Sequence, residues 1–338
     1  MLIAESKEIE SSSFSVVIPL YNNGEYISRA LESVYCQTVE PGEVIVIDDG
    51  STDGGADVVR AQYPQVRLFQ QTNMGVGRAR NAGIGQASSE WIALLDADDY
   101  WLPNHLEELE RIVERYPDAD LISTRWAELD HGLTTTYERA GGEAAGHIED
   151  IDYFAVAARR GGPVWTSSSA INHETFRRFG GFGFEPVGQD LEYWVRIALR
   201  GKVATSSAVT AIYVRGTGGV IETRKQTLRP YRSPATYGDI SPALKTIEES
   251  FSSGDYSVPH ESVLAYVNAR IADKMYKSIM VGDIGVSRDY RRFLSPPLNM
   301  KLRAIVCLTF LPDWASRFSI SMLRRIRSQA LGRERESA

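Results

Sequence analysis

The segment Phe14–Leu20, with the sequence FSVVIPL, decides the fold class of this 338-residue chain. Unbroken runs of β-branched and aliphatic residues are typical of strands that are buried on both faces of a parallel sheet. Three more such runs follow, at 43–47 (EVIVI), 66–69 (VRLF) and 91–95 (WIALL). The N-terminal part of the chain is therefore predicted to hold four buried strands.

Helical patterns separate these runs. We predict helices at residues 24–37, 56–63 and 76–87, and Pro103 opens a fourth helix, as proline can at a first turn. Strands that alternate with helices in this way predict an α/β fold, with a mostly parallel central sheet and helices on both faces.

The alternation loosens after about residue 130. A helix at 190–200 and a strand at 208–214 are still predicted there. From about residue 240 the sequence becomes helical, and Leu264 and Met275 are among the apolar residues that keep helical spacing. This predicts a helical C-terminal region.

Composition and charge argue against several functions. The net charge of −7 gives no general attraction to nucleic acid. Cys36 and Cys307 lie far apart, and no cysteine or histidine spacing is typical of a zinc site. The N-terminus lacks the pattern of a signal peptide, and no run of about eighteen apolar residues predicts a transmembrane helix. We therefore expect a cytoplasmic protein.

Two acidic clusters stand where predicted strands stop. One covers residues 47–53 (IDDGSTD) and the other covers residues 95–99 (LDADD). In open α/β sheets, ligands bind outside the carboxyl ends of strands, which is the edge where both clusters would lie. In an extended segment Asp96 and Asp98 point to one side, and Ala97 points away.

The second cluster fits a site for a divalent cation and a diphosphate. A bound cation would remove the repulsion between its carboxylates. Mg²⁺ is commonly held by one or two carboxylates together with water and substrate phosphate. The alternative is structural, because aspartates are frequent in turns after strands and cap helices well. Asp53 in particular fits a turn or capping role.

Several segments, in their order and spacing, resemble the family 2 glycosyltransferases, which have the GT-A fold. They are residues 17–22 (VIPLYN), 31–38 (LESVYCQT), 43–53 (EVIVIDDGSTD), 73–83 (NMGVGRARNAG), 96–99 (DADD), 180–182 (GGF) and 188–190 (GQD). The matched stretch runs from about residue 14 to about residue 215.

The resemblance implies an organisation in three regions. A GT-A domain would cover residues 14–215, with a nucleotide-binding half at 14–100 and an acceptor half at 101–215. A flexible N-terminus (1–13) would precede it, and a mostly helical region (216–338) would follow it.

The resemblance also implies a donor site for a nucleotide-diphosphate sugar, with UDP favoured and TDP as the other option. The implied donor-binding residues are Pro19, Tyr21, Asn22, Asp49, Arg80, Asp96 and Ala97. Asp49 would accept a hydrogen bond from the imide nitrogen of uracil or thymine. Arg80 would lie near the base or the phosphates; its alternative is an ion pair with a surface acid. Asp96 would hold the ribose or support the metal shell, and Asp98 would be the principal ligand of Mg²⁺ or Mn²⁺.

Asp190 is the catalytic base that the resemblance implies. It would take the proton from an acceptor hydroxyl as that oxygen attacks the anomeric carbon, and one displacement would invert the configuration there. The chain departs from the family pattern with Gln189, where glutamate is common. Glu192 is a nearby alternative base, and a helix N-cap is the structural alternative for Asp190.

The acceptor side is predicted from aromatic residues near the motifs. Trp101 follows the second acidic cluster, and Trp165 precedes Thr166. Sugars present apolar C–H faces that pack on aromatic rings, so either ring could floor a sugar subsite together with Gln189. The alternative is that both tryptophans are core residues, because large aromatic side chains are highly buried on average.

The C-terminal segment carries a basic excess. Residues 314–327 would form an amphipathic helix with arginines mainly on one half, and residues 305–311 add apolar surface. Such a helix can lie in a membrane interface, which predicts peripheral contact through residues 301–330. A helix packed on the catalytic domain, or on a second subunit of a homo-oligomer, is the alternative.

These features predict an inverting glycosyltransferase that adds one or a few sugars to a saccharide, a glycolipid or a glycoprotein, in surface glycan synthesis. The gene product would then need a saccharide or lipid-linked acceptor. A non-catalytic nucleotide-sugar binding protein is the main alternative, and it would lack a working base at Asp190. A phosphohydrolase with an aspartate nucleophile is disfavoured, because its motif belongs directly after the first strand.

Overall fold

The computed structural model describes residues 14–130, 146–217 and 232–310. The strands are β1 Phe14–Leu20, β2 Glu43–Asp48, β3 Arg67–Gln70, β4 Trp91–Leu94, β5 Tyr100–Trp101, β6 Leu121–Asp130, β7 Ile148–Asp150, β8 Ser169–Asn172 and β9 Val203–Arg215. The helices are α1 Ile27–Tyr35, α2 Gly55–Gln62, α3 Val76–Gln86, α4 His105–Arg115, α5 Tyr153–Arg160, α6 His173–Phe179, α7 Gln189–Ala198, α8 Tyr237–Ile240, α9 Pro242–Ser253, α10 His260–Val281, α11 Ile284–Tyr290 and α12 Met300–Phe310.

One sheet joins the strands in the order β3-β2-β1-β4-β8-β6-β9-β5, and β7 pairs with β9. The four predicted strands β1 to β4 are parallel to one another wherever they pair. The second half is mixed, because β8 runs antiparallel between β4 and β6 while β6 and β9 are parallel. The sequence pattern did not predict β6 or β8.

Helices cover both faces of the sheet, as predicted. Alternate residues of β1 enter different apolar clusters: Val17 packs with α3, whereas Val16 and Ile18 pack with α1, α2 and α4. Every residue of β1 is buried. Full burial of such a side chain contributes about 1.5–3 kcal/mol, so the central strand strongly stabilises this arrangement.

The helices after residue 232 share the cluster that contains Val17. Met275 and Ile279 of α10 are buried in it together with Tyr153 and Phe154 of α5. The C-terminal helices therefore complete one face of the sheet domain. The predicted boundary after residue 215 stays a prediction, and the predicted amphipathic helix at 314–327 lies outside the described residues.

His105 lies in the core on the other face, where its ring stacks on Trp101 at 4.3 Å and its Nδ1 contacts Thr210 Oγ1 at 2.7 Å. Burial lowers the pKa of His105 to about 3. The unfolded chain takes up a proton near the ordinary histidine pKa of about 6.5, and the folded chain does not.

Acid should therefore destabilise the fold through His105. Because the folded pKa of His105 is depressed, its contribution to the free energy of unfolding is complete above about pH 6.5. Between about pH 6.5 and about pH 3 this contribution falls by about 1.4 kcal/mol per pH unit. Urea unfolding at several pH values should give a flatter slope for His105→Leu than for the wild type. His260→Leu, at an exposed histidine, is the matched control and should keep the wild-type slope.

Candidate active site

The carboxyl ends of β1, β2 and β4 meet at one edge of the sheet. Leu20 of β1 lies beside Asp48 of β2, and Val17 of β1 lies beside Leu94 of β4. The chain leaves β1 toward β2 on one side and returns to β4 on the other, so the strand order reverses at β1. Such a switch point opens a crevice for a ligand. Both acidic clusters border this crevice.

Hydrogen bonds from polar side chains connect the loop after β1 to the loop after β2. Asn22 has a positive φ of 49°, and its Oδ1 accepts from the Thr52 nitrogen at 2.9 Å. Asp53 accepts from the backbone nitrogens of Gly24 and Gly55, at 2.7 and 2.9 Å. Asp53 thus has the turn role that was its alternative, and Asn22 shapes the loop in which it was predicted to bind the donor.

Pro19 and Tyr21 lie on either side of the last residue of β1. Pro19 is buried within the strand, whereas the Tyr21 side chain is 49% exposed at the crevice. Of these two predicted base-lining residues, Tyr21 therefore offers a side chain to a ligand, and Pro19 offers backbone alone.

Asp49 is buried and organises the loop that leads into α3. Its carboxylate accepts hydrogen bonds from Gln71 Nε2 at 2.7 Å, the Met74 nitrogen at 2.9 Å and the Gly75 nitrogen at 2.8 Å. An ionised carboxylate can accept about four hydrogen bonds, so these three contacts leave one acceptor position of Asp49 unused among the described residues. Gln71 is a contact that sequence reasoning missed, because no motif connects it to Asp49.

Arg80 and Asp96 form an ion pair inside the crevice. Arg80 Nη2 lies 2.5 Å from Asp96 Oδ1, with side-chain exposures of 5% and 24%. Within the described ranges, the Nε and Nη1 atoms of Arg80 are buried and have no hydrogen-bond partner. A buried guanidinium with open donors is costly, and an anionic ligand would satisfy them. The ion pair that was the alternative for Arg80 is therefore present, but Arg80 itself is buried and not at the surface.

Asp98 lies beside Asp96 and is held by neighbours that leave its carboxylate partly available. Thr217 Oγ1 donates to Asp98 Oδ2 at 2.7 Å, and Arg29 Nη2 donates to the Asp98 carbonyl oxygen at 2.5 Å. Burial and then the charge of Asp96 raise the pKa of Asp98. Ala97 is buried between the two aspartates, as the alternation predicted.

Asp99, by contrast, is buried and hydrogen-bonded within the protein. It accepts from Ser167 Oγ at 2.5 Å and from the Val214 nitrogen at 3.0 Å. Burial, and next the charges of Asp98 and Asp96, raise its pKa well above the ordinary value. Ser167 also accepts from the Asp96 nitrogen at 3.1 Å, a role that no sequence motif indicates.

The donor atoms at the crevice fit a hard divalent cation bound together with a diphosphate. In the part of the chain that the structure describes, no group of three or more acidic, histidine or cysteine side chains could hold a metal by itself. Asp98 would supply a carboxylate, and substrate phosphates commonly supply further oxygens to Mg²⁺.

Helix α7 begins beside α3, the helix that carries Arg80, because Gln189 lies next to Gly77. Asn81 of α3 donates from Nδ2 to the Phe182 carbonyl oxygen at 2.9 Å and accepts from the Phe182 nitrogen at 2.8 Å. A methyl group at Gly77 would stand 2.3 Å from the Gly183 carbonyl oxygen. These contacts fasten the segment before α7 to the first turns of α3.

The local geometry separates Asp190 from its alternatives. Gly188 occupies the N-cap position of α7, so Asp190 is not the N-cap residue; it lies in the first turn, partly exposed, and its Oδ1 accepts from the Leu191 nitrogen at 2.7 Å. Glu192 is buried and engaged by Arg196 Nε and Thr246 Oγ1, both at 2.9 Å. Gln189 is also buried and packs against Gly77.

The two predicted acceptor-side tryptophans differ. Trp101 is 3% exposed, and its Nε1 donates to the Ser167 carbonyl oxygen at 2.5 Å. This packing corrects the prediction for Trp101, whose ring is a core ring and is not presented to a ligand. Trp165 is partly exposed and lies against Trp126 and Tyr213.

Within the described ranges, no helix combines the length and the apolar character that crossing a membrane requires.

Comparisons with known proteins agree with this geometry. A family model described as Glycosyl transferase family 2 matches residues 15–169. An uncharacterized glycosyltransferase of Nostoc sp. is 32% identical over 248 residues, which cover 71% of this chain and 70% of that protein. The succinoglycan biosynthesis protein ExoW of Rhizobium meliloti is 38% identical over 128 residues, covering 36% of this chain and 39% of that protein.

A solved structure with a similar fold is S. aureus TarS 1-349, with a TM-score of 0.59, 16% identity and coverage of 91% of this chain and 88% of that chain. Its complex with UDP-GlcNAc gives a TM-score of 0.51 and 17% identity, covering 85% and 94%. These likenesses confirm the predicted GT-A fold. The match along most of the Nostoc relative identifies the family: the chain belongs to glycosyltransferase family 2.

Proposed function

We propose that this glycosyltransferase moves a sugar from a UDP-sugar, or a TDP-sugar, to an acceptor hydroxyl with inversion at the anomeric carbon. The observation that carries the donor side is Arg80, whose buried guanidinium keeps two nitrogens without partners among the described residues. It lies beside Asp96 at the switch point, where a nucleoside diphosphate would meet the sheet edge.

The donor base would lie at the ends of β1 and β2. The exposed Tyr21 ring offers a stacking surface, and Asp49 retains room for one donor such as the imide N–H of uracil. The similar fold of TarS, solved with UDP-GlcNAc, supports the choice of a UDP-sugar.

Mg²⁺ or Mn²⁺ would be held by Asp98, with Asp96 in support. When bound, the cation stabilises the negative charge that develops on the leaving nucleoside diphosphate. Arg80 would stabilise the same negative charge, and its ion pair with Asp96 holds the Asp96 side chain in place.

Asp190 would accept the proton of the acceptor hydroxyl. Of the two acids at the start of α7, Glu192 is buried and held by Arg196 and Thr246, whereas Asp190 is partly exposed and uses only Oδ1, which accepts from the Leu191 nitrogen, among the contacts of the described residues. The acceptor class that we propose is a saccharide, a glycolipid or a glycoprotein glycan. Similarity to the succinoglycan biosynthesis protein ExoW supports polysaccharide synthesis.

Calorimetric titration with nucleotide sugars tests the donor assignment. We expect UDP-sugars to bind in the presence of Mg²⁺ or Mn²⁺, and we expect Asp98→Asn to weaken this metal-dependent binding by about tenfold or more, which is about 1.4 kcal/mol. Because the pKa of Asp98 is raised, protons compete with the cation and the affinity should fall as the pH is lowered.

Asp57→Asn is the matched control, because the Asp57 side chain is 81% exposed and pairs with Arg60. This variant should bind like the wild type. If the wild type binds no UDP- or TDP-sugar with either cation, the donor assignment is wrong.

Peripheral membrane contact through residues 301–330 is also proposed. Among the described part of that stretch, Phe310 is 71% exposed on α12, which supports an apolar contact there. Co-sedimentation of the full chain with anionic phospholipid vesicles, compared with neutral ones, measures it; equal sedimentation at background level would contradict it.

A further inference from the structure

Three aromatic side chains form a surface beside the metal motif, which we call the aromatic shelf: Trp126 of β6, Trp165 and Tyr213 of β9. The Trp165 and Tyr213 ring centroids are 4.6 Å apart, and those of Trp126 and Trp165 are 5.9 Å apart. All three side chains are partly exposed. The shelf is therefore a contiguous group of three rings, with Tyr213 tilted by 51° against Trp165, and each ring is partly exposed.

Strand pairing explains why these rings share a face. In the parallel pair of β6 and β9, Trp126 lies beside Ala211, and Glu128 lies beside Tyr213. Alternate residues of a strand point to the same face, so Trp126, Glu128 and Tyr213 lie together. The intervening residues, including Ile212 and Val214, enter a buried cluster on the opposite face.

The shelf is joined directly to the acidic cluster of the crevice. Trp165 Nε1 donates to Asp99 Oδ2 at 3.4 Å, a long hydrogen bond. Two more hydrogen bonds complete the connection. The nitrogen of Val214, near the end of β9, donates to Asp99, and Oγ1 of Thr217, just after β9, donates to Asp98. A molecule resting on the shelf would thus lie next to the carboxylate that is proposed to bind the metal.

Polar groups flank the rings on the same face. Arg215 Nε and Glu128 Oε2 form an ion pair at 3.1 Å, and both side chains are about half exposed, at 46% and 50%. A lipid chain or an apolar protein surface on the shelf would desolvate this pair at a cost. A sugar would instead pack its C–H face on the rings and direct its hydroxyls to these charges.

We propose that the aromatic shelf binds the acceptor saccharide and orients it toward the donor. This assignment rests on the proposed function, since the bound sugar is the acceptor of that reaction. Trp165 would be the central ring, because it contacts both other rings and Asp99.

Saturation-transfer NMR tests the shelf on the full chain with UDP and Mg²⁺ present. The probes are the methyl β-glycosides of glucose, galactose and N-acetylglucosamine. We expect at least one probe to receive saturation, with the ring C–H protons of one face receiving most. Trp165→Leu should weaken the binding of that probe by about tenfold, and Trp165→Phe, which keeps a ring but also loses the Asp99 contact, should retain most of it.

If Trp165→Leu does not fold, Tyr213→Leu and Tyr213→Phe provide a second pair. Tyr213→Leu should weaken the binding of the glycoside probe more than Tyr213→Phe does. Phe310→Leu, at an exposed ring on α12, is the control and should not change probe binding. In all folded variants the calorimetric affinity for UDP should stay within about twofold of the wild type. A general structural defect would instead weaken UDP binding as well.

The assignment of the shelf as an acceptor site is wrong if UDP binds but no glycoside receives saturation. It is also wrong if the leucine variants bind the glycoside like the wild type. Dimerisation of the wild type that is lost in Trp165→Leu would also overturn it, since the shelf would then be a subunit interface. Absence of UDP binding would instead contradict the proposed function and is measured separately.

Discussion

Asp190→Asn is expected to bind nucleotide sugars with nearly wild-type affinity and to transfer sugar about 10²–10⁴ times more slowly. A positioned general base typically contributes a factor of this size, and asparagine keeps the shape of the side chain without its basicity. Donor affinity should be preserved, because the proposed donor contacts come from the ends of β1, β2 and β4 and from Arg80 of α3. Calorimetry measures the binding, and release of nucleoside diphosphate in the presence of acceptor measures the transfer.

Glu192→Gln is the matched control for this variant. Glu192 lies on the same helix but is buried with Arg196 and Thr246. Its replacement should therefore lower the free energy of unfolding, while the folded variant should transfer sugar much faster than Asp190→Asn. Unchanged transfer by Asp190→Asn would exclude Asp190 as the base. Transfer that is absent already in the wild type, with donor binding intact, would support the non-catalytic alternative.

Arg80→Met is expected to produce the largest loss of donor affinity. The change removes the buried cation that pairs with Asp96 and the two nitrogens that await a ligand. Hydrogen bonds to charged groups contribute about 1.5–3 kcal/mol, so the dissociation constant for UDP-sugars should rise by about 10- to 100-fold. Arg80→Lys should restore little of this, because an ammonium lacks the planar fork of donors.

Arg78→Met is the control for Arg80. Arg78 lies on the same helix, is exposed, and has its guanidinium 4.3 Å from the centroid of the Phe184 ring. It should bind donor like the wild type. If Arg80→Met keeps a dissociation constant within twofold of the wild type, the open donors of Arg80 do not meet the phosphates or the base. Thermal unfolding of both variants separates loss of affinity from loss of fold.

The sequence was most informative where burial is complete. The run of apolar residues in Phe14–Leu20 predicted a doubly buried strand, and the acidic clusters were placed correctly because they follow such strands. The antiparallel insertion of β8 beside β4 was not predicted, since its four residues have no periodicity long enough to detect. Strand pairing between distant segments depends on tertiary contacts that a local pattern does not contain.

The same limit applies to the site. Asp96, Asp98 and Arg80 could be predicted because they belong to motifs, but Gln71 and Ser167 act through contacts made only after folding. The fate of Trp101 and Trp165 was also undetermined by sequence. Both are aromatic and near the metal motif, yet Trp101 points into the core, whereas Trp165 packs against Tyr213 of β9 and stays partly exposed.

Helix α3 has one consequence for how acceptor selectivity could change. It contacts β1 through Gly83, where a methyl group would stand 2.4 Å from Val17 Cγ1, and it contacts the segment before α7 through Gly77. The Gly77 contact is with the main-chain oxygen of Gly183, which has no alternative rotamer, so the spacing between α3 and the segment before α7 leaves no room for a side chain at Gly77. Altered acceptor choice should therefore arise from side chains on β6 and β9, while α3 stays a fixed spacer that any redesign of this enzyme must leave untouched.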